Sequence, residues 1–219
     1  MKKSKAFVNE DECVECYTCI RAGACMLGAI RQTELIWPRT LRHVFSSVTT
    51  VHMETRVSGR GTEEMKTNDV TNRFGDGEVG FSVDMGRPGL GVRFKDVEKV
   101  AKAVAKWGVE FEPMNPVTML MTNRNSGEFR DEVKGEKVHS CVLEFAAKKL
   151  SDTPKILRAL VEAAKDIDAV FSLGICSRLT NEGESPVLPL LREAGMSLKP
   201  NGKLNIGLGR PLQKGGAST

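Results

Sequence analysis

Residues 77–108 read GEVGFSVDMGRPGLGVRFKDVEKVAKAVAKWG, and this stretch decides the fold. Apolar residues alternate with polar or small ones from Glu78 to Met85, which predicts a half-buried β-strand. After a glycine-rich turn, apolar residues recur at helical spacing from Phe94 to Trp107, and Gly108 is a typical helix end. The stretch therefore predicts a strand, a turn and a helix in that order.

The same order returns further along the chain. Residues 138–146 predict a strand, a helix begins near Pro154, and residues 169–177 predict another strand. Short strands at 109–112 and 117–122 are expected between the two units. Two interleaved strand–helix–strand units predict one antiparallel sheet with both helices on one face, the βαββαβ ferredoxin-like sandwich. We therefore expect an α+β fold.

Composition divides the rest of the chain. We expect a cysteine-rich module at 1–36, a polar connecting segment at 37–76, the sandwich at 77–180 and a C-terminal extension at 181–219. A net charge of +4 without a basic run gives no indication of nucleic-acid binding. The sequence has no run of about 18 apolar residues, so no membrane span is predicted. It also has no apolar segment near its start that would predict a secretory signal. A cytoplasmic protein is therefore expected.

Four of the six cysteines lie between positions 13 and 25. Cys13, Cys16 and Cys19 follow the pattern C-x2-C-x2-C, a spacing that wraps a tight loop and brings three thiolates to three corners of a [4Fe–4S] cluster. Zinc is an alternative, although zinc sites usually pair two separated C-x2-C segments and the sequence has no second one. A further alternative is that the cysteines are small buried hydrophobic residues.

Residues 6–19, AFVNEDECVECYTC, resemble the first strand and ligand loop of a bacterial-type ferredoxin half-motif, and residues 25–30, CMLGAI, resemble its last part. The resemblance implies electron transfer through one [4Fe–4S] cluster per chain. In the family, three residues separate the third and fourth cysteines and a proline follows the fourth. Here five residues separate Cys19 from Cys25, and Met26 follows Cys25. Two all-cysteine clusters would need more cysteines than the six present.

The fourth ligand stays open at this point. Cys25 is the expected ligand because it is the nearest cysteine, and Cys176 is the alternative because it lies on the open face of its predicted strand. Cys141 shares the parity of Leu143 and is expected to lie in the core. The remaining alternatives are a non-cysteine ligand, an open iron site and a ligand from another chain.

The turn Asp84-Met-Gly86-Arg87-Pro88-Gly89-Leu90-Gly91 resembles the Asp-x-Pro-Gly-Leu turn of ACT domains, which share the double strand–helix–strand fold and often bind amino acids there. The resemblance implies a small-ligand loop formed by Gly86, Arg87, Gly89 and Gly91. It also implies a homodimer, because such sheets often pair side by side. The alternative is a sharp turn without a ligand, since proline and glycine are ordinary turn residues.

These motifs leave three functions open. The first is an iron–sulfur electron carrier or a redox subunit of an anaerobic oxidoreductase system, which docks on a redox partner protein. The second is a ligand-sensing regulatory protein in which an ACT-like domain works with a redox cluster. The third is a catalytic subunit with an open cluster iron. Because no nucleophile elbow, phosphate-binding loop or paired-carboxylate signature appears, we expect a carrier or accessory subunit rather than a stand-alone enzyme.

Overall fold

The computed structural model of the chain describes residues 6–47, 50–53, 56, 59–61, 73–86 and 89–199. Its α-helices are α1 (Thr18–Arg21), α2 (Thr40–Ser46), α3 (Phe94–Ala105), α4 (Thr153–Lys165) and α5 (Val187–Glu193). Its β-strands are β1 (Val79–Met85), β2 (Val92–Arg93), β3 (Glu110–Phe111), β4 (Met121–Asn123), β5 (Glu128–Phe129), β6 (Lys137–Val138), β7 (Cys141–Ala147) and β8 (Phe171–Ser177). None of the helices within these ranges is long and apolar enough to cross a membrane.

The main sheet has the strand order β3–β7–β1–β8, and each neighbouring pair is antiparallel. Helix α3 follows β1 along the chain, and α4 follows β7. The two helices pack against each other and share one apolar core with the sheet. The prediction of an α+β fold with an antiparallel sheet is thereby confirmed.

The central strand β1 carries the alternation that the sequence shows. Val79, Phe81, Val83 and Met85 are fully buried and point into the helix-covered core. Phe81 lies opposite Phe145 of β7, and the two rings stack with their centroids 5.1 Å apart. Burial of each large apolar side chain contributes about 1.5–3 kcal/mol, so this strand anchors the core.

Helix α3 buries one apolar face and ends earlier than predicted. Phe94, Val100 and Val104 are fully buried. Trp107 was expected on the same face but lies beyond the helix and is 41% exposed. The chain turns there because Gly108 takes a φ of 66° and donates its N–H to the carbonyl oxygen of Ala105 at 3.0 Å.

The predicted strand at 138–146 is divided into β6 and β7 by His139 and Ser140. At this break the His139 N–H donates to the Ser46 hydroxyl at 3.1 Å, and the Ser140 hydroxyl accepts from Arg60 at 2.9 Å. At His139 and Ser140, hydrogen bonds that involve polar side chains thus take the place of backbone hydrogen bonds between strands. The predicted strand at 117–122 is also partly wrong, since Thr118–Leu120 forms a 3-10 turn that leads into β4.

A buried carboxylate ties α3 to the hairpin formed by β4 and β5. Glu98 is 9% exposed, and its Oε1 accepts the Phe129 N–H at 3.1 Å and lies 3.0 Å from the Nζ atoms of both Lys102 and Lys134. Burial acts to raise the pKa of Glu98, but the N–H group and the two ammonium groups outweigh it, so the pKa is lowered.

Helix α2 lies within the segment that the sequence indicated as a polar connection. Leu41 and Phe45, one helical turn apart, belong to the core. The Phe45 ring meets Phe94 edge-on at a centroid distance of 5.2 Å and His52 at 4.7 Å. Part of the connecting segment is therefore packed structure, while its residues 48–49, 54–55, 57–58 and 62–72 lie outside the described ones.

Candidate functional site

The four clustered cysteines lie in a series of turns around the short helix α1. The carbonyl oxygen of Asn9 accepts the N–H groups of Glu12 and Cys13 at 3.2 and 3.0 Å, so a tight turn leads into the first cysteine. Cys13, Cys16 and Cys25 are half-buried, Cys19 is exposed, and all four thiols are free. The four predicted ligands are thus not disulfide-bonded and lie within one short segment.

Two residues between the cysteines take a left-handed backbone conformation. The φ angle is 52° at Glu15 and 55° at Tyr17. This conformation costs a non-glycine residue about 1–3 kcal/mol, and such strain persists where the surroundings fix it, often at binding sites. Left-handed residues are also typical of the backbone nests that bind anions, including iron–sulfur clusters. The loop from Cys13 to Cys19 therefore has a backbone suited to an anionic group.

The sulfur atoms differ in their surroundings. Cys25 Sγ accepts the Ala29 N–H at 3.4 Å, and this N–H group together with that of Leu27 lowers the pKa of Cys25. Burial raises the pKa of Cys13, and the nearby carboxylate of Glu15 acts in the same direction. The loop following Cys25 thus favours a thiolate there, whereas the surroundings of Cys13 disfavour negative charge on its sulfur.

Among the residues that the structure describes, the four predicted ligands are not assembled into a metal site. Within the ranges that the structure covers, no group of three or more Cys, His, Asp or Glu side chains is placed to hold a metal ion. The donor set of four thiols fits an iron–sulfur cluster, which proteins hold through thiolates. Convergence of the four sulfurs stays a prediction.

The two remaining cysteines lie in the sheet. Cys141 begins β7 and is fully buried, as predicted, and burial strongly raises its pKa. Cys176 lies in β8 opposite Gly80, on the face of the sheet turned away from the helices. That is the face on which the sequence placed it, and its role as an alternative fourth ligand stays a prediction.

Arg42 of α2 holds the backbone that leads into the cysteine loop. Its Nη1 donates to the carbonyl oxygens of Glu10, Asp11 and Cys13 at 2.9, 2.9 and 2.8 Å. Its Nε donates to the carboxylate of Glu136, which forms the matching ion pair. The side chain is almost completely buried, so these contacts replace its lost hydration.

Two further basic side chains pair with the acidic residues that precede Cys13. Arg93, at the start of α3, lies 2.7 Å from Asp11 and 2.9 Å from Glu12. Lys137 of β6 also pairs with Glu12. The hydrogen bond and charge of Arg93 lower the pKa of Asp11, and those of Lys137 lower the pKa of Glu12. The cysteine loop is thereby docked against α3 and β6 of the sheet domain.

His43 supports the other side of the loop. Its Nδ1 lies 2.9 Å from the carbonyl oxygen of Glu15, and its Nε2 lies 3.2 Å from the hydroxyl of Thr50. A carbonyl oxygen only accepts, so Nδ1 carries the proton in the neutral ring and Nε2 accepts from Thr50. The imidazole also faces the Tyr17 ring at a centroid distance of 4.6 Å. The two left-handed residues are thus both held by one histidine.

A pocket of about 260 Å³ opens beside this pair of rings. Tyr17 and His43 line one part of it, and Gln32, Glu34 and Leu35 line another. Burial raises the pKa of Tyr17, and the Glu15 carboxylate adds to that effect, so the phenol stays protonated. The pocket is small and directly adjoins the cysteine loop.

The glycine-rich turn uses its backbone for internal contacts. Gly86 donates its N–H to the carbonyl oxygen of Val170 at 2.9 Å, and Gly91 donates to the carbonyl oxygen of Gly86 at 3.1 Å. Both glycines have positive φ angles, 89° and 75°, which explains the residue type. Arg87 lies outside the described residues. A ligand at this turn stays a prediction.

The start of α3 is also closed by main-chain contacts. The N–H groups of Phe94 and Lys95 donate to the carbonyl oxygens of Glu136 and Lys134 at 3.1 and 2.9 Å. These donors satisfy part of the helix N-terminus that a ligand carboxylate would otherwise occupy.

The sequence interpretation missed the basic residues of α2. Arg39, which pairs with the buried carboxylate of Glu15, also belongs to this group. The available signal was the spacing of Leu41 and Phe45 after Pro38, which places two apolar residues on one side of a helix.

In comparisons with known proteins, no family model, no curated protein and no solved structure matches this chain.

Proposed function

We propose that this chain is an iron–sulfur electron-transfer protein or a redox subunit of a larger oxidoreductase system. Cys13, Cys16, Cys19 and Cys25 would hold one [4Fe–4S] cluster. The observation that carries the proposal is the C-x2-C-x2-C loop with left-handed backbone at Glu15 and Tyr17, because the cysteine spacing and the nest-type backbone favour the same anionic group.

When bound, such a cluster supplies one-electron oxidation and reduction at a potential set by charge, hydrogen bonds to sulfur and solvent exposure. The chain contributes the N–H groups after Cys25, which stabilise negative charge on that sulfur. Arg42 contributes a fixed positive charge beside the Cys13 carbonyl. Because thiolate ligands require reduced cysteines, the proposed site belongs in a reducing compartment such as the cytoplasm.

A redox partner protein would dock where the loop is open to solvent. Cys19 is exposed, and the apolar side chains of Met26 and Leu27, which follow Cys25 in the chain, are 100% and 91% exposed. Exposed apolar residues next to a redox centre favour protein contact at that point. An electron would then cross only a short distance between the cluster and the partner protein on the side of Cys19.

The second candidate function is a ligand-sensing protein with an ACT-like domain. The strand order β3–β7–β1–β8 with both helices on one face supports this candidate, because a ferredoxin-like sandwich would have two such strand–helix–strand units in one antiparallel sheet. The edge strand β8 would then pair with a second copy in a homodimer. Light scattering would measure the dimer, and a thermal-shift screen with amino acids would test the turn, since a ligand of the folded state raises the melting temperature.

The deciding experiment is a count of iron and sulfide per chain in protein purified without oxygen, combined with EPR after reduction. We expect four of each and a reversible one-electron couple. Cys13→Ala should lose the cluster, whereas Cys141→Ala, in the core, should retain it. Bound zinc or colourless protein would refute the proposal.

Two further variants identify the fourth ligand. If Cys25 is the ligand, Cys25→Ala loses or degrades the cluster and Cys176→Ala does not. The reverse result would assign Cys176. A cluster that is unchanged in both variants would indicate an open iron site or another ligand, and would favour the catalytic alternative.

A further inference from the structure

We propose that Arg42 is the positioning residue of the cysteine loop, fixing both its backbone and the charge beside it; this inference rests on the proposed function. One nitrogen of the guanidinium binds the carbonyl oxygens of Glu10, Asp11 and Cys13. Three of the four backbone carbonyl oxygens from Glu10 to Cys13 therefore bind a single buried side chain.

Binding of the Cys13 carbonyl sets the direction of the next amide group. The Cys13 carbonyl and the Val14 N–H belong to one planar peptide group and point in opposite directions when the bond is trans. Arg42 accordingly turns the Val14 N–H away from α2, and the preceding N–H groups are fixed by Asn9. Amide groups held in this way orient metal ligands and stabilise charge on sulfur.

The chemistry of arginine is needed for this role. The guanidinium is planar, always charged and offers five N–H donors, of which Arg42 uses its Nε for Glu136 and its Nη1 for the loop. A lysine at this position would keep the charge but lose the fork of donors. Because Arg42 is 4% exposed, its charge is poorly screened and acts on any redox centre bound by the loop.

Arg42 and Glu136 should shift a reduction potential in opposite directions. Removal of the positive charge in Arg42→Gln makes the addition of an electron less favourable and lowers the potential. Removal of the negative charge in Glu136→Gln raises it. A residue that only supported the fold would not produce this change of sign between two members of one ion pair.

The first part of the test uses protein without a cluster. Amide hydrogen exchange at Glu12 and Cys13 should be about tenfold faster in both Arg42→Gln and Arg42→Lys, because each loses hydrogen bonds to the loop carbonyls. Arg93→Gln is the matched control, since Arg93 contacts the Asp11 and Glu12 carboxylates but not their carbonyls, and exchange there should stay within about twofold. Unchanged exchange in Arg42→Gln would overturn the proposal.

A double variant prevents misfolding from deciding the outcome. Arg42→Gln alone leaves the Glu136 carboxylate without its charged partner, which is costly in a partly buried position. Arg42→Gln with Glu136→Gln removes both charges and should keep the far-UV circular dichroism of the wild type while exchange at Cys13 stays fast. Slow exchange in this folded double variant would equally overturn the proposal.

The second part uses protein loaded with iron and sulfide and measures the potential by redox titration. Lower values for Arg42→Gln, higher values for Glu136→Gln and values near wild type for Arg42→Lys are expected. Equal potentials in all variants would overturn the assignment of the charge. If the wild type takes up no iron, the proposed function fails, while the exchange measurements still decide whether Arg42 positions the loop.

Discussion

Replacement of Phe45 by alanine is expected to lower the free energy of unfolding by about 3–5 kcal/mol, the range for truncation of a buried aromatic residue. Phe45 is 1% exposed, and its ring contacts Phe94 and His52 edge-on. Each aromatic pair adds about 0.5–1.5 kcal/mol beyond its buried area, so two such contacts place the cost in the upper part of that range. For a chain of this size, the melting temperature should fall by about 6–20 °C.

Urea unfolding followed by circular dichroism measures this loss directly. Phe7→Ala is the matched control, because Phe7 is 86% exposed and the same substitution there should change stability by less than about 0.5 kcal/mol. A loss below about 1 kcal/mol for Phe45→Ala would show that α2 is not part of the core. It would also refute the reasoning that joins the cysteine loop to the sheet through this helix.

Three further predictions test the fold around the site. Because the pKa of Glu98 is lowered on folding, its carboxylate stabilises the folded state fully above its unfolded-state pKa of about 4.3, and this stabilisation is lost as the pH falls through the folded-state pKa. In urea unfolding, Glu98→Gln should have a lower free energy of unfolding than the wild type at pH 7, and the difference should shrink in acid. A difference that does not change with pH would contradict this. Gly91→Ala should lower the melting temperature more than Gly89→Ala. Both glycines have a positive φ, but only the new Cβ at position 91 would lie 3.0 Å from a backbone carbonyl oxygen. Equal losses in melting temperature would argue against that close approach. In protein without a cluster, Cys141, which is buried and has a raised pKa, should stay unmodified by iodoacetamide at pH 8 while exposed Cys19 reacts, as measured by peptide mass spectrometry; early modification of Cys141 would argue against its place in the core.

The sheet and its two long helices could be predicted because their signals are local and repeat. Residues 79–85 alternate over seven positions, and the strand predicted from Glu78 to Met85 begins one residue later, at Val79, and ends at Met85 as predicted. Helix α2 was missed for the opposite reason. It has seven residues, contributes Leu41 and Phe45 to the core, and buries Arg42, a residue type that a sequence pattern assigns to the surface.

The cysteine loop shows a similar limit. The spacing of Cys13, Cys16 and Cys19 predicts a chemistry, but no pattern within the loop reveals what holds it. Arg42, which binds its carbonyl oxygens, lies 29 residues from Cys13 along the chain, and Arg93, which pairs only with its carboxylates, lies 82 residues from Asp11. A single sequence contains no record of such long-range pairs, because charged side chains at those positions are equally compatible with solvent.

Basic side chains from three separate elements contact the cysteine segment, so this segment and the sheet act as one unit. Arg42 comes from α2, Arg93 from the start of α3 and Lys137 from β6, and all three meet within a few residues of Cys13. Helix α2 contributes to both sides, since Phe45 is part of the core while Arg42 binds the loop. A charge change at Glu136, in the turn before β6, therefore reaches the loop through one intermediate side chain. Movement of this turn would reach the loop by the same route, and would thereby act on the cluster proposed for the cysteines.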